Sequence, residues 1–278
     1  MSDKDLFDKV AASIQADHPS FEVRYKDESR FMRFLGLLAY PFNPTFNTEY
    51  TTTLGSKTYL PSRAEVAKDY AGYAGTLAHE GVHVFDDAKH PIWFKLSYAL
   101  NQIAVLPLLV AYAVLGSWIP VAALVGGISL AYGSFAVFKS KAMFLVVAVL
   151  AVLSYLGLAV WLSEWWTALA VAVFVPLIPI SSHWRAAWEF RGYSMTMAFD
   201  YWRSGKLEDS ELTWIQEIFT GSDYYFMDPN ATRVAAKLKA IKVSIIDGSL
   251  LVGADARPYQ RTLDLLKQLG QAKAGVSA

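Results

Sequence analysis

The sequence contains no cysteine, and this absence limits the chemistry that the chain can perform. Disulfide bonds and thiolate metal sites are excluded, so a bound metal ion must be held by histidine, aspartate or glutamate. There is also no excess of either charge, because 25 basic residues balance 25 acidic ones. Nucleic acid is therefore not expected as a partner, since its binding needs a basic surface. The charged N-terminus lacks an apolar segment, and no signal peptide is predicted.

Charge is also nearly absent from residues 96–181, where only Lys139, Lys141 and Glu164 are ionised. Four apolar segments fill this part of the chain, at about 96–117, 120–138, 142–162 and 165–181. Each has about the 17–25 residues that cross a bilayer, and tryptophans lie at or just beyond the segment ends, where a membrane meets water. The pattern predicts an integral membrane protein with four transmembrane helices and the lipid bilayer as a partner.

The loop charges predict an orientation for these four helices. One side would carry only Glu164, and the other would carry Lys89, Lys95, Lys139, Lys141 and Arg185. The positive-inside rule places the basic side, with both soluble parts, in the cytoplasm. The predicted organisation is thus an N-terminal part at 1–95, four spans in the cytoplasmic membrane at 96–181, and a C-terminal helical part at 182–278.

The segment His79-Glu80-Gly81-Val82-His83 is an H-E-x-x-H motif. Ser62 and Glu65 form a capping-box pattern that opens a predicted helix over 63–87. Spacing of four residues on a helix puts both imidazoles on one face, where they can share one Zn²⁺ ion. Glu80 would lie beside them as the general base. Upstream, residues 49–53 and 57–60 predict a β-hairpin, and residues 21–26 a strand.

A catalytic zinc ion needs a third protein ligand. We favour Glu189, because Gly192 one turn later removes side-chain bulk and would let this helix approach the motif helix. An ion pair with Arg185 is the alternative role for Glu189. His183 is favoured less as a ligand than as a residue that contacts the transition state. His90 follows His83 by seven residues, whereas the third histidine of a metzincin follows by six after a glycine, and His18 is remote in the sequence.

Further residues could support such a site. Asp86, Asp87 and Asp200 are candidates to fix a histidine tautomer, or else belong to solvated helix ends. Candidates for the donor that stabilises the oxyanion are Tyr193, Arg191, Tyr224 and Tyr225. Among these donors we favour Tyr193, so the predicted catalytic residues are Glu80, His183 and Tyr193.

Three features together resemble the gluzincin group of zinc peptidases, most closely small bacterial and phage-associated zincin-like domains. They are the threonine-rich hairpin at 51–61, the helix segment at 77–84 and the downstream Glu189-x-x-Gly192. The resemblance covers about residues 45–90 and 183–200. It implies one zinc ion held by His79, His83 and Glu189, with the Glu80 carboxylate as base. The chain departs from the group in its inserted apolar segment and in Tyr193, where many relatives have an acid.

The expected fold is α+β and mostly helical. A zincin-like domain with a short antiparallel sheet and the H-E-x-x-H helix would carry an inserted four-helix transmembrane bundle. The expected function is that of a membrane-anchored zinc metalloendopeptidase acting on membrane or membrane-proximal proteins or peptides. The alternative is a structural or delivery protein, for example phage-associated, that keeps the fold with a vestigial or self-processing site. The sequence does not indicate an oligomeric state.

Overall fold

The computed structural model describes residues 1–39, 45–103, 146, 150, 183–221 and 227–273. The described residues are mostly helical and include one small sheet. The chain divides into two compact units. The first unit consists of Met1–Lys95, His183–Thr220 and Asp228–Ala278, and the second of Leu96–Ser182 and Gly221–Met227. All of the candidate metal ligands named above belong to the first unit.

The described helices and strands have the following bounds in chain order: α1 Asp3–Asp17, β1 Glu22–Tyr25, α2 Arg30–Ala39, β2 Thr52–Leu54, β3 Lys57–Leu60, α3 Arg63–Val66, α4 Tyr70–Lys89, α5 Pro91–Ile103, α6 His183–Ser204, α7 Asp209–Thr220, α8 Ala231–Ile246 and α9 Arg257–Gln268. The helix predicted over 63–87 is thus two helices. The break occurs because the Asp69 carboxylate caps α4, accepting a hydrogen bond of 2.8 Å from the Gly72 N–H. Ser62 caps the short α3 in the same way, through the Glu65 N–H.

The sheet contains the predicted hairpin and one further strand. Strands β2 and β3 pair antiparallel, with Thr53 opposite Thr58, and the two threonine hydroxyls lie 2.7 Å apart. Strand β1 pairs with the other edge of β3 in parallel, giving the order β1-β3-β2. The sheet is therefore mixed, and the prediction of an antiparallel sheet is wrong in this respect. A long connection containing α2 joins the parallel strands, which a hairpin turn could not do.

No helix formed by the described residues is long and apolar enough to cross a membrane. The longest, α6, has 22 residues but includes five charged side chains, namely Arg185, Glu189, Arg191, Asp200 and Arg203. Helix α5 has only 13 residues, fewer than the ~17–25 that a span requires. These findings contradict the predicted four-helix transmembrane bundle, and with it the predicted integral membrane location and orientation. Most of the predicted spans fall at 104–145 and 151–182, outside the described residues.

Helix α4 lies at the centre of the first unit and packs against α1, α6 and α9. Small residues allow this close packing. A Cβ atom at Gly81 would come within 2.9 Å of Ile14 on α1 and 3.0 Å of Arg261 on α9. The surrounding core is made of fully buried apolar side chains, including Leu6, Ile14, Leu77, Ala78, Val82, Met195, Phe199 and Trp202. The packing fixes the position of α4 along its axis and its rotation about that axis. It therefore fixes the direction of the motif side chains.

Candidate metal centre

Helix α4 presents His79 and His83 one turn apart on one buried face. Both residues are less than one-tenth exposed. Their Nε2 atoms lie 3.0 Å apart, and the two rings meet nearly edge to face at 74°. Since residues four apart share a helix face, the motif spacing alone brings these two nitrogens together.

Helix α6 supplies the third donor across the α4–α6 contact. The Glu189 Oε2 atom lies 3.7 Å from each histidine Nε2. Donor atoms held about 2.0–2.2 Å from one tetrahedral metal ion are separated from one another by roughly 3.3 Å. The observed separations bracket this value. His79, His83 and Glu189 therefore form a group that could hold a metal ion, with donor atoms all within 4.8 Å of one another.

The two helices approach closely at this point because residue 192 is glycine. A Cβ atom there would overlap the His79 ring at Nε2, Cε1 and Cδ2. Any larger residue would push the ring away from its present position or force the helices apart. The predicted role of Gly192 in bringing α6 against the motif helix agrees with this geometry.

A second polar side chain of α6 contacts the His79 ring. The Thr196 hydroxyl lies 3.0 Å from His79 Nδ1, on the side of the ring away from the donor cluster. Thr196 lies seven residues after Glu189 on the same helix face. Sequence reasoning missed this residue, although its spacing from Glu189 and Gly192 could have indicated it. It considered only acidic residues as partners for the imidazoles.

The electrostatics of the three donor residues favour a cation bound between them. Burial alone would raise the pKa of Glu189, but the neighbouring imidazoles of His79 and His83 and the charge of Arg185 hold that pKa well below its usual value. Burial opposes protonation of His83, yet the adjacent, negatively charged carboxylate of Glu189 raises its pKa. A buried carboxylate that stays ionised beside two imidazoles is the environment that a metal cation requires.

Glu80 follows His79 on α4 and is buried, with 8% of its surface exposed. Its negative charge acts on His83 and on a second group, Lys26. Lys26 is fully buried, and its ammonium donates a 2.6 Å hydrogen bond to the Phe46 carbonyl. Burial lowers the pKa of Lys26 to about 7, and the charge of Glu80 opposes that shift. Sequence reasoning missed this lysine, because it is the last residue of the strand predicted over 21–26 and nothing in that pattern indicates that its side chain is buried.

Of the other two predicted catalytic residues, the structure describes the side chain of Tyr193 only. Tyr193 is buried, and its ring lies edge-on to the ring of His79, with centroids 4.9 Å apart. Its predicted role as an oxyanion donor stays a prediction. His183 is the first residue of α6, and its side chain lies outside what the structure describes. Tyr224 and Tyr225 are also outside the described residues.

Two of the three acidic residues proposed to orient the histidines have other partners. The Asp86 carboxylate is bound by Arg191 of α6, whose Nε lies 2.9 Å from Oδ2 and 3.1 Å from Oδ1. Asp87 forms an ion pair of 3.3 Å with Lys95. Asp200 is exposed on α6. The Asp86–Arg191 pair therefore joins α4 to α6 about one turn beyond the donor group.

Comparisons of the chain with protein-family models, curated proteins and solved structures find no match. Any functional conclusion therefore rests on the geometry of the site. The arrangement has two features that bear on its chemistry. Two imidazoles and one carboxylate can bind a cation, and a further carboxylate, that of Glu80, follows the first ligand in the motif.

Proposed function

We propose that this chain is a zinc-dependent endopeptidase that hydrolyses peptide bonds in protein or peptide substrates. The observation that supports the proposal is the convergence of His79, His83 and Glu189, with Glu80 beside them in the motif. Two histidines from one helix and a glutamate from another are the ligand set of one class of catalytic zinc sites, which keep a position open for water or substrate.

The nature of the donors supports zinc but does not by itself select it. Two histidines and one carboxylate also bind non-haem Fe(II) in oxygenases. The additional buried carboxylate of Glu80 favours hydrolysis, because a hydrolase needs a base beside the metal and an oxygenase does not. The absence of cysteine fits a site made only of imidazole and carboxylate ligands.

In the proposed reaction His79, His83 and Glu189 would hold a zinc ion, which would supply Lewis acidity toward the peptide carbonyl and toward water. The Glu80 carboxylate accepts the proton that the attacking water loses and then gives it to the departing amine nitrogen. Tyr193, whose ring packs against His79, is the candidate donor for the oxygen that becomes negative in the transition state.

The substitution Glu80→Gln tests this assignment. Glutamine keeps the size of the side chain but cannot accept the proton, so we expect zinc content equal to wild type and cleavage of a peptide library slowed about 100- to 10,000-fold. Glu217→Gln makes the same change at an exposed position on α7 and is expected to leave both quantities unchanged.

The outcomes separate the two functions considered. Equal cleavage by the wild type and Glu80→Gln would reject the proposed mechanism. Zinc bound at one ion per chain, with no turnover of any peptide and a stable stoichiometric partner, would instead support the structural alternative. Iron in place of zinc in the purified chain would point to oxidative chemistry.

A further inference from the structure

Helix α6 contacts the motif helix through one stripe of side chains. Glu189, Gly192 and Thr196 follow at intervals of three and four residues, so they share a face. Each does something different for the metal group. Glu189 supplies a donor atom, Gly192 leaves room for the His79 ring, and Thr196 places its hydroxyl 3.0 Å from His79 Nδ1.

The hydroxyl matters because a neutral imidazole has one proton and two nitrogens. The Nε2 atom of His79 is the one that faces His83 and Glu189. It can bind a metal ion only if it has a free lone pair, which requires the proton to be on Nδ1. A partner at Nδ1 decides where that proton resides. Since a threonine hydroxyl has lone pairs, it can accept a hydrogen bond from Nδ1–H.

We infer that Thr196 is a positioning residue, which holds His79 in the Nδ1–H tautomer with Nε2 directed at the metal position. The inference deepens the proposed function and rests on it. It differs from the common arrangement, in which a carboxylate or backbone carbonyl accepts from the ligand histidine. A hydroxyl is neutral, so when it accepts from Nδ1–H it stabilises this tautomer without adding negative charge to the imidazole.

The surroundings of His79 support a directed contact and not simple packing. Gly192 lies against one side of the ring and Tyr193 meets the ring edge-on at 89°. These two neighbours on α6 contact the His79 ring and restrict its rotation. Thr196 is the polar side chain that the structure places at Nδ1.

The first measurement uses the unaltered full-length chain without metal. Two-bond proton–nitrogen NMR correlations of ring-labelled histidine report the tautomer of each ring, and the loss of one set in His79→Gln assigns His79. We expect His79 to be protonated on Nδ1. Protonation on Nε2 in the wild type would overturn the inference whether or not any variant folds.

The second measurement compares three variants in zinc affinity, by competition with a chromogenic chelator. Thr196→Val keeps the shape but loses the hydroxyl, and we expect zinc to bind about 10- to 100-fold more weakly. Thr196→Ser retains the hydroxyl and should bind zinc almost as wild type does. Thr262→Val is the control, because Thr262 is a buried threonine on α9 whose hydroxyl donates to its own helix at the Pro258 carbonyl.

The outcomes distinguish this inference from the proposed function. Wild-type affinity and tautomer in Thr196→Val, or equal losses in the serine and valine variants, would overturn the role of Thr196. If zinc affinity follows the hydroxyl but no peptide is cleaved, the inference stands and the peptidase proposal fails. If the wild type binds no zinc, the tautomer measurement still decides the role of Thr196, and the proposed function is rejected.

Discussion

Helices α4 and α6 both contribute to the candidate metal group, but they do so by different physical means. Helix α4 provides two donors through local spacing, because His79 and His83 are four residues apart. Helix α6 comes from a distant part of the sequence and provides one donor through tertiary packing. It also makes the room and the hydrogen bond that the His79 ring needs. The comparison teaches that a motif supplies ligands, while a neighbouring helix decides whether they can share one ion.

Removing one donor at a time, first from α4 and then from α6, should weaken zinc binding more than any other change considered. The two losses of affinity show whether the helices contribute equally. We expect His83→Ala and Glu189→Ala each to weaken zinc binding by on the order of 100- to 1,000-fold, since each deletes one of three protein ligands. The measurement is zinc affinity by chelator competition. His90→Ala is the matched control, because His90 is an exposed histidine at the C-terminal cap of α4.

The comparison would fail in an informative way if Glu189→Ala retained wild-type affinity. In that case α4 alone would hold the ion, and the carboxylate of Glu189 would serve only its ion pair with Arg185, at 3.6 Å. That was the alternative role considered for Glu189 from the sequence.

The space provided by α6 can be tested without touching a ligand. In Gly192→Ala the new Cβ would overlap the His79 ring, so the ring or the helix must shift. We expect zinc affinity to fall about tenfold or more, and the free energy of unfolding to fall by about 1–3 kcal/mol from overpacking. Chelator competition and urea denaturation give the two values.

Gly75→Ala provides a control for the change from glycine to alanine within a buried helix contact. Its Cβ would lie 3.3 Å from the Phe199 ring, a tight but adjustable contact away from the donors. We expect a smaller loss of stability and unchanged zinc affinity. Equal losses of affinity in both variants would mean that general loosening of the α4–α6 contact, and not the His79 ring position, controls the metal group.

The same difference between local and tertiary contributions explains what the sequence could predict. The α4 ligands follow from spacing, and the hairpin follows from Thr53 and Thr58 on either side of a Gly turn. The break before α4 was missed because the capping effect of Asp69 competes with a pattern that otherwise favours one long helix.

Features that depend on packing were harder to predict. Glu189 was chosen correctly as the neighbour of the histidines because Gly192 follows it, but Thr196 was not considered. The parallel pairing of β1 and the burial of Lys26 have no local signal at all. The transmembrane prediction came from the lengths of the apolar segments, their low charge and the positions of tryptophans, and the described helices do not support it.

The Asp86–Arg191 pair joins the two helices without contributing a donor, so its loss should affect metal binding least. Asp86 is nearly fully buried, and its carboxylate is bound by two nitrogen atoms of Arg191. Arg191→Met would leave this buried carboxylate without its counter-charge. We expect the free energy of unfolding at neutral pH to fall by about 3 kcal/mol, while zinc affinity falls less than tenfold. Urea denaturation and chelator competition measure these effects.

The pH dependence of this loss tests its electrostatic origin. Burial raises the pKa of the Asp86 carboxyl, and the Arg191 guanidinium opposes that rise. Without Arg191 the pKa of folded Asp86 rises further above its unfolded value. A carboxyl with a raised folded-state pKa stabilises the fold while it is protonated, below the unfolded pKa near ~4, and this stabilisation is lost as pH increases through the folded pKa. The stability deficit of Arg191→Met relative to wild type should therefore be small at low pH and grow towards pH 8. A deficit of equal size at all pH values would show that Arg191 joins α4 to α6 by packing of its side chain, and that its charge contributes nothing.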